Sequence, residues 1–151
     1  MKATRNRKEI TMMKTLIAAA AATLVTTTAL AENHGHSENH VALQNVEWFD
    51  APIPGVQLAL AWGDDATGAT WLLKMDPGVA LPMHTHTHDY WGLSIVGEWV
   101  HIEADGTEVP TVPGDYSLVE GGVTHADRCD SDIPCIGLLA FTGPRDVALA
   151  D

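Results

Sequence analysis

From residue 41 onwards the chain is cut by turn-forming residues at intervals of roughly ten, and the segments between the cuts are short and β-rich. VQLALAW (56–62) alternates, placing Val56, Leu58, Leu60 and Trp62 on one face. Gly63-Asp64-Asp65 turns the chain, ATWLLKM (69–75) follows, and Asp76-Pro77-Gly78 ends it. A long extended stretch runs from His84 to Val96, pauses at Gly97 and resumes as EWVHIE (98–103). Ala104-Asp105-Gly106 is a hairpin turn, and Pro113-Gly114-Asp115 precedes YSLV (116–119). After Glu120-Gly121-Gly122, the segments VTHADRC (123–129) and CIGLLAF (135–141) read as a final hairpin. Apart from the N-terminus there is no helical periodicity, no internal repeat and no second domain. The expectation is one all-β sandwich or barrel over 46–147.

The N-terminus follows different rules. Lys2, Arg5, Arg7, Lys8 and Lys14 give a basic start, followed by the apolar run LIAAAAATLV, a Thr-rich tail and Ala29-Leu30-Ala31. Basic, apolar and A-x-A in that order predict a helical, cleavable signal peptide over 1–31 and a periplasmic or secreted protein. An uncleaved anchor is the alternative, but the run is short, Ala-rich and broken by Thr26, Thr27 and Thr28. Residues 32–45 read as a flexible His-rich leader, ENHGHSENH first. His34, His36 and His40 there either bind copper, nickel or zinc loosely or are simply solvated.

Removing 1–31 leaves Lys74, Arg128 and Arg145 as the three cations against 19 acidic residues, a net charge of −16. Such a surface repels phosphate backbones and anionic lipid, so neither nucleic acid nor, after cleavage, a membrane is an expected partner. Lys74 and Arg128 either pair with neighbouring acids or hold an anionic substrate. Cys129 and Cys135 flank the turn-like Asp130-Ser131-Asp132-Ile133-Pro134, and in an oxidising compartment they are expected to form one disulfide.

Three of the eight histidines fall in HTHTHDY (84–90). If the strand is regular there, His84, His86, His88 and Tyr90 share one face. Several imidazoles on one face repel when charged and are readily satisfied by a metal that takes their neutral nitrogens. A metal-free polar mouth is the alternative. His125, after Gly121 and Gly122, is the natural ligand from a second strand. His101 reads as a partnered histidine, and Trp62, Trp71, Trp91 and Trp99 as core or dimer-face residues.

These residues resemble the cupin superfamily, whose metal motifs are carried here by Gly78-VALPM-His84-Thr85-His86-THD-Tyr90-WGLSIV-Gly97 and by Gly114-DYSLV-EGG-VT-His125-ADR-Cys129. The resemblance covers about residues 55–142, and within the superfamily it is similar to an exported, single-domain subgroup. It implies a cupin-type jelly-roll β-barrel (RmlC-like) with a metal inside, held by His84, His86 and His125. Tyr90 stands at the superfamily's Glu position, Glu120 at its Pro and Cys129 at its Asn. The fourth ligand is therefore open between Tyr90, as a phenolate, and His88, with Asp89 available only if the strand bulges.

The implied cofactor is one divalent transition metal: iron, zinc or manganese, with copper or nickel as further options. Two functions stay open. One is a metal-dependent enzyme of oxygenase, lyase or isomerase type acting on a small molecule, with Tyr90 as a catalytic general base. The other is a non-catalytic module that binds or senses a metal or small ligand. A homodimer is the expected assembly.

Overall fold

The computed structural model describes residues 40–150. The expected signal peptide and the leader as far as residue 39 lie outside the described residues. Leu43–Asn45 form a single 3-10 turn, and no helix among the described residues is long and apolar enough to cross a membrane.

Eleven strands follow: β1 Phe49–Asp50, β2 Val56–Asp64, β3 Gly68–Met75, β4 Ala80–Thr85, β5 Tyr90–Val96, β6 Trp99–Glu103, β7 Glu108–Thr111, β8 Tyr116–Val119, β9 His125–Cys129, β10 Cys135–Phe141 and β11 Ala148–Leu149. They form a six-stranded sheet in the order β1-β2-β3-β10-β5-β8 and a five-stranded sheet in the order β11-β4-β9-β6-β7. Every pairing is antiparallel. The all-β expectation holds, but the closed barrel does not. No ladder among the described residues joins the two sheets; they bury a common core between them.

Two local expectations are corrected. The extended stretch from His84 to Val96 is two strands, because the chain leaves the five-stranded sheet after Thr85 and enters the six-stranded one at Tyr90. The final hairpin is not a hairpin. β9 pairs with β4 and β6, β10 pairs with β3 and β5, and residues 130–134 cross between sheets. The hairpins β2–β3 and β6–β7 do form, the latter around Ala104-Asp105-Gly106.

Burial follows the strand period. Val56 and Leu58 of β2 and Ala69, Trp71, Leu73 and Met75 of β3 point into the core, where they meet Tyr90, Phe141, Val119 and Trp99. The alternation in β2 stops at a bulge between Leu60 and Trp62, and both of those side chains are exposed. Trp71 and Trp99 are core residues, whereas Trp62 and Trp91 lie on the surface.

Cys129 and Cys135 form the expected disulfide, with Cα atoms 5.6 Å apart and both residues fully buried. It fastens the end of β9 in one sheet to the start of β10 in the other. Gly97 is part of the same corner. Its φ is +77°, and a Cβ there would sit 2.9 Å from the Cys135 sulfur, so only glycine fits. The disulfide closes a short loop, so the double substitution Cys129→Ser/Cys135→Ser is expected to cost about 2 kcal/mol in chain entropy. Urea denaturation of oxidised wild type and the variant measures this; equal midpoints would show that the cross-link adds nothing.

Candidate metal centre

The β4–β9 ladder sets His84 directly opposite His125. Two residues beyond His84, His86 follows the end of β4, and Tyr90 opens β5. Their rings meet: centroids are 4.3 Å apart for His84 and His125, 5.0 Å for His84 and His86, and 5.4 Å for His86 and His125. One ring nitrogen from each of the three histidines lies within 4.8 Å of the others. All three residues are buried, His125 completely.

Each ring is held from behind by a backbone carbonyl. His84 Nδ1 donates to Pro82 O at 2.8 Å, His125 Nδ1 to Val123 O at 3.1 Å, and His86 Nδ1 to Asp146 O. A carbonyl can only accept, so a neutral ring must carry its proton on Nδ1. The Nε2 atoms then keep their lone pairs. Burial pushes His86 below the ordinary imidazole value and His125 down to about 4, so both are neutral near pH 7. Three imidazoles with oriented backs are the donor set a divalent transition metal takes, and they fit such an ion.

Glycine makes the approach possible. A Cβ on Gly121 would lie 2.5 Å from Thr87 O, so the turn before β9 packs against the loop that carries His86. Gly122 N–H donates to His86 O at 2.8 Å, and Gly121 N–H donates to Asp89 Oδ1 at 2.7 Å. The C-terminal segment closes the other side: β11 pairs with β4 at Thr85 and His84, while Asp146 Oδ1 accepts from Thr87 N–H at 2.8 Å.

The remaining sequence candidates separate. Tyr90 is buried, and its hydroxyl donates to His125 Nε2 at 3.2 Å. Burial, helped by the Asp127 charge, raises its pKa, so it is a neutral phenol at pH 7. His88 is not in the cluster, because the break after Thr85 ends the alternation; its ring packs on Gly143, where a Cβ would come within 2.6 Å. Asp89 serves as a loop clip through Gly121 and Thr142. Arg128 is taken by Glu108 and Asp130, at 3.0 and 3.2 Å, and Lys74 lies 4.6 Å over the Trp48 ring.

Sequence reasoning passed over Asp127. This buried carboxylate accepts from Trp99 Nε1 at 2.8 Å and from His101 Nδ1 at 3.1 Å. Burial opposes its ionisation, but those two donors win and hold it below the usual carboxylate value. In return, its hydrogen bond raises His101 against the opposing effect of burial. The His101 ring lies 5.1 Å from that of His125. The available signal was the strand period: His125 and Asp127 share one face of β9, and the ladder pairs Asp127 with His101 of β6.

In front of the cluster is a cavity of about 580 Å³ between the sheets. His84, His86, Tyr90 and His101 line it, and most of its remaining wall is apolar, including Phe49, Ile53, Leu81 and Phe141.

Two facing sheets with three clustered histidines beside a cavity between them define a cupin with a candidate metal site. The chain belongs to the ChrR cupin-like domain family, whose model matches residues 36–143. No curated protein sequence matches it. Among solved structures it is similar to the polyketide cyclase RemF from Streptomyces resistomycificus, with TM-score 0.64, 18% identity, and 74% of this chain and 84% of that one covered. It is also similar to the DMSP lyase DddQ from Ruegeria pomeroyi DSS-3 (TM-score 0.59, 18% identity, 70% and 61% covered). A cupin-superfamily sugar phosphate isomerase from Silicibacter pomeroyi DSS-3 is a third (TM-score 0.59, 22% identity, 74% and 82% covered). At these identities the likeness shows the fold.

Untagged protein with His84→Ala, His86→Ala or His125→Ala is expected to lose its bound metal, while His88→Ala and Tyr90→Phe keep it. Metal content by mass spectrometry checks this, and loss in either of the last two variants would add that residue to the shell.

The metal-free protein should show an acid slope in stability. An unfolded imidazole titrates near 6.5 and folded His125 at about 4, so the unfolded chain takes up the proton first. The contribution of His125 is complete above pH 6.5 and is lost towards pH 4, a change of about 3 kcal/mol. His101 runs the other way, stabilising below pH 6.5 and fading as pH rises through its raised value. Denaturation of metal-free wild type and His125→Asn across this range tests the sign: the variant should show a shallower slope, the remainder coming from His86, whose value burial also lowers.

Proposed function

We propose that this chain is an exported, metal-dependent cupin enzyme acting on a small, largely apolar molecule by proton transfer, as in lyase or isomerase chemistry. One observation carries the reading: three clustered imidazoles, each locked by a backbone carbonyl, lie beside an apolar cavity that His84 and His86 line together with two proton-handling groups, Tyr90 and His101. The neighbouring cyclase, lyase and isomerase structures support the same chemical range.

His84, His86 and His125 would hold the ion, with iron, zinc and manganese as the candidates, and copper or nickel as further options. Bound there, it would supply Lewis acidity towards a substrate oxygen, or activate dioxygen if it is iron. The chain's own residues do the rest. Phe49, Ile53 and Leu81 help exclude water from the cavity. Tyr90 holds its proton on the hydroxyl oxygen, 3.2 Å from His125 Nε2, where it can be given to or taken back from a substrate atom. Asp127 keeps a proton on His101 Nδ1 and orients that ring at the cavity wall. Export and the homodimer belong to this proposal and are tested by cell fractionation and sedimentation velocity.

Two measurements decide between catalysis and simple storage. Manganese-loaded protein should enhance solvent-proton relaxation, because an open coordination position exchanges water. Tyr90→Phe should keep its metal and lose about 100-fold in turnover of a substrate found by screening. A manganese form with no relaxation enhancement would mean a closed shell and favour the non-catalytic binding module.

A further inference from the structure

Arg145 stands out among the cations. Of Lys74, Arg128 and Arg145, it is the one that lines the cavity. Its guanidinium carbon lies 4.7 Å from the centre of the Trp71 ring, so one face of the group is covered. Its Nε is buried with no hydrogen-bond partner. No carboxylate among the described residues pairs with it, although Asp50, Asp115, Asp127 and Asp146 line the same cavity. Each of those acids is occupied elsewhere: Asp50 by Gln57, Asp115 by Val112 N–H, Asp127 by Trp99 and His101, and Asp146 by Thr87.

An arginine that stacks on an aromatic face keeps its in-plane N–H donors available, and a planar carboxylate matches their fork. A buried donor without a partner is costly unless a ligand completes it. The position also ties Arg145 to the metal centre, since the carbonyl of the next residue, Asp146, holds His86 Nδ1. Apolar walls disfavour a hydrated dianion such as phosphate, whereas a single carboxylate on an apolar body suits both the wall and the cation.

We infer that Arg145 is the anion receptor of this cavity and that its ligand is a small, mostly apolar or aromatic monocarboxylate. The identity of that ligand as substrate rests on the enzyme reading; its binding to Arg145 does not. The strongly acidic chain opposes any anion at long range, so preference for a carboxylate over its neutral amide must come from a local cation.

The test is calorimetric titration of the full exported chain with phenylacetate, phenylacetamide and inorganic phosphate, in zinc-loaded and metal-free forms. Wild type should bind phenylacetate about tenfold more tightly than the amide in both forms. Arg145→Gln should erase that preference at unchanged zinc content and circular dichroism, and Arg145→Lys should keep part of it. The assignment is overturned if Arg145→Gln retains the preference, if phosphate binds as well as phenylacetate, or if phenylacetate does not bind at its highest soluble concentration. A preference seen only in the zinc-loaded form would make the metal the receptor, removing Arg145's role while leaving the enzyme reading intact. A preference kept in metal-free wild type and lost in Arg145→Gln supports Arg145 even if the metal shell proves closed.

Discussion

The centre depends on one cross-strand pair. His84 and His125 face each other across the β4–β9 ladder, and this register alone brings imidazoles from distant parts of the chain to one point. A shift of one residue would turn either ring to the other face of the sheet. The carbonyls of Pro82 and Val123 then complete what the register begins. Each lies two residues before the histidine it orients, so the chain leading into each of these ligands also sets its tautomer. His86 is the exception. It sits past the end of β4 and takes its carbonyl from Asp146, which links the ligand geometry to the C-terminal segment.

Burial and function are coupled here through protonation. Removing imidazoles from water disfavours their charged forms, which is a cost in an acidic solution and an advantage for metal capture. Asp127 does the opposite for His101, holding a proton near the same site. One wall of the cavity thus carries neutral nitrogens on one side and a proton-retaining pair on the other. The disulfide and Gly97 fix the far corner where the two sheets approach, with Trp99 packed in the core next to them.

Much of this was legible in the residues. Turn signals at short intervals specified an all-β chain, and the spacing of His84, His86, Gly97 and His125 identified the superfamily and the triad. His88 falls outside the cluster because alternation assumes an unbroken strand, and the chain changes sheets between Thr85 and Tyr90. The connection over 130–134 has a hairpin's length and composition, yet it crosses between sheets; local sequence does not distinguish these two paths. Asp127 was visible in principle, two residues after His125. Arg145 was not: it follows the last long strand with no periodicity to orient it, and only the fold brings it to the cavity wall.

X-ray absorption of the zinc-loaded protein probes the centre most directly. The three-histidine centre requires three imidazole nitrogens at about 2.0–2.1 Å from a single ion, completed by oxygen. A spectrum showing one imidazole or none in that shell, or zinc scattered over surface carboxylates, would contradict it.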